Sequence, residues 1–167
     1  CFFYFLDYRI LKKFAFSMLL VSIGLLVAVF IPSLGVSGGG AHRWLNFGFV
    51  TIQPAEIIKL TGAIYLASLL EKQKKLVPFV IVLGLVTFIM AILQKDLGST
   101  SVFVLMAIAM YFTSGAPILH FLIFIPVTLI AFVGLTFSSS YRLQRVLAFL
   151  NPFSDTQGFT YHISQVL

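Results

Sequence analysis

The sequence predicts an all-α, polytopic membrane bundle, and three observations support this fold class. Mean hydropathy is +1.07. Of the 167 residues, 60% are hydrophobic and only 10% are charged, whereas soluble domains carry roughly 25% charged residues. Uncharged apolar runs of about eighteen residues recur, which is the length that a helix needs to cross about 30 Å of hydrocarbon. The 19 Phe and 6 Tyr suit lipid-facing and interfacial surfaces.

The apolar runs predict one partial helix, ending at Leu6, and five full membrane helices. The full helices are expected at residues 14–31, 54–70, 76–93, 101–114 and 118–137. Pro32 and Gly35 end the first of them, and Pro54 suits the start of the second because the first helical position needs no N–H. Pro126 inside the last helix implies a kink or a tight helix–helix contact.

The connecting segments give the orientation, because short cytoplasmic loops are rich in Lys and Arg. One set consists of the loops at residues 7–13, 71–75 and 115–117, which must lie on the same side of the membrane. This set is placed in the cytoplasm because its first two loops carry compact clusters of basic residues. The other set is placed outside: an extracytoplasmic loop at residues 33–53, a turn at 94–100 and a tail at 138–167. The outer side then holds Glu56, Asp96 and Asp155 together with most of the chemically versatile residues.

Charge and cysteine content exclude several classes of function. In a soluble protein a net charge of +6 would suggest nucleic acid, but in a membrane protein it indicates anionic lipid or a lipid-linked substrate, and no nucleic acid is expected. The single Cys excludes an internal disulfide and argues against a cysteine-based metal site. Residues 1–167 form one transmembrane domain that starts inside an apolar run, so we expect them to be part of a longer protein.

Three polar motifs stand on the predicted outer side. G-A-H-R-W at residues 40–44 precedes Q-P-A-E-I-I-K at 53–59, and Q-K-D-L-G-S occupies 94–99. The tail carries R-L-Q-R-V-L-A-F-L-N-P at 142–152, followed by Asp155. With these motifs in this order, the chain resembles the SEDS family (shape, elongation, division, sporulation), whose RodA/FtsW-type members are peptidoglycan glycosyltransferases.

The resemblance covers the whole chain as roughly the middle half of a family member. It implies that residues 1–167 alone would be inactive. The chain departs from the family pattern at several positions: His42 replaces an Arg, Ala55 a Ser and Lys95 a Pro. In the tail, Phe159-Thr160 replace a small residue and a Gly, and His162 replaces a polar amide. All the acidic positions of the motifs match.

The family's reaction would join the disaccharide of lipid II to a growing glycan strand in the bacterial cytoplasmic membrane. The resemblance makes Asp155 the catalytic base for the acceptor sugar hydroxyl, although by itself this Asp also suits a turn residue in N-P-F-S-D-T-Q-G. A divalent cation, Mg²⁺ or Mn²⁺, is a further expectation near the leaving diphosphate. A class B penicillin-binding protein is the partner that the family implies.

Seven residues are candidates for substrate binding, each with a structural alternative. Arginine suits phosphate oxygens, but single arginines also contact lipid headgroups, and Trp44 could serve as a sugar platform or belong to the interfacial aromatic belt. Glu56 and Lys59 could line a cavity or form an internal ion pair at a helix start. Asp96 could bind a cation or a sugar, or cap the helix that begins near Leu97. The candidates are Arg43, Trp44, Glu56, Lys59, Asp96, Arg142 and Arg145.

The histidines and the glycine triplet are weaker signals. His42 and His162 have no fixed spacing, so no metal site is predicted from them, and His120 is expected to be structural. The glycines at 38–40 are interpreted as a hinge, because no strand-to-helix phosphate loop surrounds them. Two other functions stay open: a flippase or transporter for lipid-linked precursors, and a scaffold without enzymatic activity.

Overall fold

A computed structural model describes residues 8–38, 41–72, 76–138 and 143. The chain divides into two compact units, residues 1–121 and 122–167. Among the described residues the helices are α1 (Tyr8–Ala28), α2 (Pro54–Lys72), α3 (Leu76–Phe88), α4 (Leu97–Thr113) and α5 (Ile118–Phe137). The strands are β1 (Gly35–Gly38), β2 (Ala41–Asn46) and β3 (Thr51–Ile52).

The predicted helical membrane fold is confirmed. Three helical segments in the described ranges are long and apolar enough to cross a membrane: α1, residues 76–93 and α5. The second of these is α3 continued by a π-helical segment, Ile89–Leu93. Helix α4 is apolar but has only 17 residues. Helix α2 has 19 residues and carries charged side chains near both ends, which marks it as a helix whose ends reach polar surroundings.

The ends of the helices differ from the prediction at the basic segments. Residues 8–13, predicted as loop, form the first turns of α1, and α2 extends to Lys72. Lys and Arg have good helix propensity and can hold their charges at the interface while the backbone stays helical. The Nζ atom of Lys12 lies 2.7 Å from Oε1 of Glu71, so an ion pair joins the two helix ends.

A small antiparallel sheet occupies the predicted outer loop, where no strand was expected. Its order is β1-β2-β3, with Val36 opposite Trp44 and Leu45 opposite Ile52. Strand β1 includes Gly38, so the glycine triplet interpreted as a hinge begins inside a strand. Gly35 is required at the start of β1, because a Cβ there would lie 1.8 Å from the carbonyl oxygen of Val29.

Close helix contacts pack the first unit. At the α1–α2 contact, Thr61 Oγ1 donates to Ser22 Oγ at 2.8 Å, and Ser22 Oγ donates to the Met18 carbonyl at 2.8 Å. This satisfies two buried hydroxyl groups away from water. At the α2–α4 contact, a Cβ on Gly62 would lie 2.7 Å from the Phe103 ring, so only glycine permits this approach without repacking.

An aromatic cluster joins α3, α4 and the start of α5. The rings of Phe79 and Tyr111 stack at 4.5 Å between centroids, and those of Phe112 and Phe121 meet edge to face at 5.0 Å. The Tyr111 hydroxyl is within 2.9 Å of His120 Nδ1. This contact agrees with the structural role predicted for His120.

In the second unit, α5 continues helically through Pro126. Nearby, Thr128 Oγ1 donates to the Phe124 carbonyl at 2.8 Å. Pro126 donates no N–H to the Leu122 carbonyl one turn earlier, whereas the Thr128 hydroxyl bonds a different carbonyl, a pattern that often accompanies a bend.

Candidate functional site

The turn between the π-helical segment and α4 connects three other parts of the first unit. This central turn, Gln94-Lys95-Asp96, receives hydrogen bonds from β2 and from the residue before α2, and its own first side chain reaches the end of α1. The predicted outer ends of these elements therefore meet around it. Two of these contacts join a side chain to a backbone carbonyl, and the third joins the side chains of Gln53 and Asp96.

The backbone of the central turn has an uncommon conformation. The Gln94 amide donates to the Ile89 carbonyl at 3.0 Å and the Asp96 amide to the Met90 carbonyl at 2.9 Å. Lys95 between them has φ of +56°. Proline is locked near −65°, so the Pro of the resembling motif could not adopt this turn.

Gln94 closes the end of α1. Its side chain is 1% exposed, and Nε2 donates to the Leu26 carbonyl at 2.8 Å. The last carbonyls of a helix lack intrahelical partners. A buried amide in this place therefore replaces water as the donor.

Asp96 caps α4, as one of the two sequence-based alternatives predicted. Its Oδ1 accepts from the Ser99 amide at 3.2 Å, and its Oδ2 accepts from Ser99 Oγ at 2.8 Å and from Gln53 Nε2 at 3.3 Å. The residue is 4% exposed. A carboxylate at a helix N-terminus is favoured by the free amides and the dipole there. Its oxygens hold Gln53 in place, and binding of substrate by Asp96 stays a prediction.

Arg43 connects β2 to the central turn. One terminal nitrogen, Nη2, donates to the Lys95 carbonyl at 2.8 Å. The Nε atom is buried and has no hydrogen-bond acceptor within the described ranges. A buried donor without an acceptor costs about 1–3 kcal/mol.

Trp44 follows Arg43 in β2 and is 41% exposed. Trp44 lies opposite Val36 of β1 and beside a bulge at which Arg43 has no partner residue, so the usual alternation of faces does not relate these two side chains. The geometry fits either a contact with a sugar or a place in the interfacial belt, so both alternatives remain.

Glu56 and Lys59 form the predicted pair on one face of α2. Lys59 Nζ lies 2.8 Å from Glu56 Oε1, and the two side chains are 22% and 60% exposed, respectively. No hydrogen bond or ion pair joins Glu56 to Asp96 in the part of the chain that the structure describes. They are connected through Gln53, whose carbonyl accepts the Glu56 amide at 3.0 Å and whose side chain reaches Asp96.

The remaining predicted site residues lie outside the described residues: Asp155, Arg142, Arg145 and His162. Within the described ranges, no three His, Cys, Asp or Glu residues are grouped so that they could hold a metal ion. Gln53 and Gln94 were not singled out from the sequence. Their roles could have been suggested by sequence position, because each side-chain amide lies next to the end of an apolar helix, where backbone groups need hydrogen-bond partners.

Comparison with known proteins identifies relatives along the whole chain. Residues 1–167 match the sequence profile of the family described as Cell cycle protein (FtsW, RodA, SpoVE). Stage V sporulation protein E of Bacillus subtilis (strain 168) is 37% identical over 168 residues, which cover 96% of this chain and 46% of that protein. The "Probable peptidoglycan glycosyltransferase FtsW" of Haemophilus influenzae is 36% identical, over 93% of this chain and 40% of that protein.

Solved structures agree with these relatives. A chain from "Structural coordination of polymerization and crosslinking by a peptidoglycan synthase complex" superposes with a TM-score of 0.76 at 26% identity, over 97% of this chain and 49% of that one. The rod shape determining protein RodA of Thermus thermophilus superposes with a TM-score of 0.67 at 28% identity, over 79% and 44%. The chain thus spans less than half the length of the proteins that it matches.

Proposed function

The chain belongs to the FtsW/RodA/SpoVE family of cell cycle proteins, and from this premise we propose that the full-length protein polymerises lipid II into peptidoglycan glycan strands. The observation that carries the proposal is the match of all 167 residues to that family. Relatives named peptidoglycan glycosyltransferase support it at up to 37% identity. The protein is a multi-pass protein of the bacterial cytoplasmic membrane.

The proposed reaction is a glycosyl transfer. The acceptor sugar hydroxyl attacks the anomeric carbon of lipid II, a base takes the hydroxyl proton, and undecaprenyl diphosphate leaves with the electron pair of the broken C–O bond. We assign the base to Asp155. Arg142 and Arg145 are assigned to the diphosphate, since guanidinium groups donate two parallel hydrogen bonds to phosphate oxygens.

Arg43 is proposed as a further residue that binds a substrate phosphate. Its Nη2 is held by the Lys95 carbonyl, while its Nε lacks an acceptor among the described residues. A guanidinium that is already held in place loses less conformational entropy when it binds phosphate. Trp44 is proposed to contact a sugar, and Glu56 and Lys59 to orient the acceptor from the start of α2.

Asp96 is proposed to act by positioning. Its carboxylate holds Gln53, the residue before α2, and starts α4. It thereby fixes the start of α4 and the start of α2, the helix that carries Glu56 and Lys59. Removal of Asp96 is therefore expected to reduce polymerisation through displacement of these helix starts.

The described carboxylates do not by themselves fit a divalent-cation site. The Asp96 oxygens accept from Gln53 and Ser99, and Glu56 is paired with Lys59. A Mg²⁺ or Mn²⁺ ion is still proposed near the leaving diphosphate, where the substrate phosphates would supply most of its ligands. A polymerisation assay with EDTA, followed by addition of each metal, tests this requirement.

A class B penicillin-binding protein is the proposed partner. Support comes from the similarity to a chain of a peptidoglycan synthase complex that coordinates polymerisation and crosslinking. Co-purification of the full-length protein with such a transpeptidase from detergent-solubilised membranes tests the partnership.

The function is tested with purified full-length protein and lipid II. Wild type is expected to produce glycan polymer, and Asp155→Asn is expected to abolish it while the protein remains folded. A flippase or a scaffold would yield no polymer in detergent. Normal polymerisation by the Asp155→Asn variant would reject the assigned base.

A further inference from the structure

The connection between β2 and β3 exposes large apolar side chains. We call Phe47, Gly48, Phe49 and Val50 the aromatic tip. Phe49 is 91% exposed, and Phe47 and Val50 are 44% and 47% exposed. Soluble proteins rarely expose several large apolar side chains side by side unless that patch binds a protein, a ligand or a membrane.

Local hydrogen bonds hold the aromatic tip in one conformation. The Phe47 amide donates to the Val50 carbonyl at 3.0 Å, and the Gly48 amide donates to Asn46 Oδ1 at 2.8 Å. Gly48 has φ of +86°, which suits the first central residue of a tight hairpin turn. Leu45, at the base of the hairpin, is 1% exposed and anchors it. The two Phe rings are therefore presented by a fixed backbone.

The hairpin is tethered by a short segment to the start of α2. Strand β3 ends at Ile52, and α2 begins at Pro54. Phe49 is five residues from Pro54, so the chain cannot carry it more than about 17 Å away at roughly 3.3–3.6 Å per residue. The headgroup region itself extends roughly 5–8 Å beyond the hydrocarbon on each side. The aromatic tip is thus within reach of the lipid interface.

The charge of the hairpin also fits a lipid surface. Residues 41–53 include Arg43 but no Asp or Glu. Exposed aromatic side chains are typical of segments at the membrane–water interface, and a segment without acids is not repelled by anionic headgroups. A hairpin made to stay in water would gain solubility from acidic side chains that this one lacks.

We propose that the aromatic tip inserts into the lipid interface at this end of the helices, with Phe49 deepest. Insertion holds β2, and with it Arg43, at the level of the lipid headgroups. The proposal concerns a lipid surface only and does not require the glycosyltransferase activity. Its failure is therefore distinguishable from failure of the proposed function.

The test places a photoreactive benzoylphenylalanine at position 49 of the full-length protein in native membranes. Irradiation is expected to give lipid adducts, identified by mass spectrometry. The matched control carries the same label at Thr51, a polar exposed residue of β3, where lipid adducts should be severalfold fewer. Predominant adducts with another protein, or equal adduct yields at both positions, would overturn the proposal.

A second experiment replaces the Phe49 side chain and measures lipid adducts at position 47. With the label at position 47, Phe49→Asp is expected to reduce lipid adducts severalfold, whereas Phe49→Leu retains them. Because the Phe49 side chain is exposed, both variants should fold. Unchanged adduct yield in Phe49→Asp would contradict insertion of the tip.

Discussion

Substitution of Lys95 tests the central turn most sharply, because two replacements should change stability in opposite directions. Lys95 has φ of +56°, and the left-handed conformation costs a residue with a Cβ about 1–2 kcal/mol. Glycine avoids that cost but loses about 0.5–1 kcal/mol of backbone entropy. Lys95→Gly should therefore stabilise the protein by about 0.5–1 kcal/mol.

Lys95→Pro should destabilise the protein by at least about 3 kcal/mol, because proline is locked near −65°. The forced change of φ would move the Lys95 carbonyl away from Arg43 and the Asp96 amide away from Met90. Lys95→Ala is the matched control: it removes the side chain but keeps the backbone cost, so it should stay within about 0.5 kcal/mol of wild type.

The free energy of unfolding of the full-length protein, measured by SDS titration in detergent micelles, distinguishes the three variants. The expected order of stability is Gly, then Lys and Ala together, then Pro. Stability of Lys95→Pro equal to wild type, with Lys95→Gly less stable, would refute the turn geometry.

Substitutions at three further positions probe other contacts of the first unit by the same titration. Gln94→Leu keeps the volume but leaves a buried carbonyl of α1 without a donor, so a loss of about 1–3 kcal/mol is expected; wild-type stability would contradict that role. Asp96→Ala should cost about 2–4 kcal/mol through the lost cap and the lost amide partner, while Asp96→Asn should cost much less because Asn also caps helices. Gly62→Ala should cost about 1–3 kcal/mol because the added Cβ would lie 2.7 Å from the Phe103 ring. Gly84, with nothing within 4 Å of its Cβ position, is the matched control, and equal effects at the two glycines would rule out the proposed close packing.

The helices were predictable because a bilayer demands long apolar runs and the sequence contains them. Their ends were less predictable. Lys12 lies in a segment that its charge predicts to be a loop. It nevertheless has good helix propensity and forms an ion pair with Glu71 of α2. Pairing between residues 59 positions apart is not readable from local pattern.

The sheet and the details of the central turn were missed for a related reason. Strand β2 pairs with β1 on the other side of the glycine triplet at 38–40, which the sequence suggests is a hinge. Short strands form because a partner strand is present more than because of their own propensity. At the candidate site, the capping role of Asp96 followed from its position before Leu97. The roles of Gln53 and Gln94 did not, since they depend on which backbone and side-chain groups the fold brings beside them.

Two ion pairs of α2 provide the most direct test that the chemistry takes place at the predicted outer end. Glu56 pairs with Lys59 at 2.8 Å and Glu71 pairs with Lys12 at 2.7 Å, with the two glutamates 60% and 58% exposed. Exposed pairs of this kind contribute about 0–1 kcal/mol, so neither substitution should unfold the protein.

The decisive measurement is lipid II polymerisation by the full-length protein carrying Glu56→Gln or Glu71→Gln. Glu56→Gln is expected to lose most of the polymerisation rate, and Glu71→Gln is expected to retain it. Equal rates in the two variants, or a larger loss in Glu71→Gln, would contradict a reaction site at the start of α2, beside the central turn.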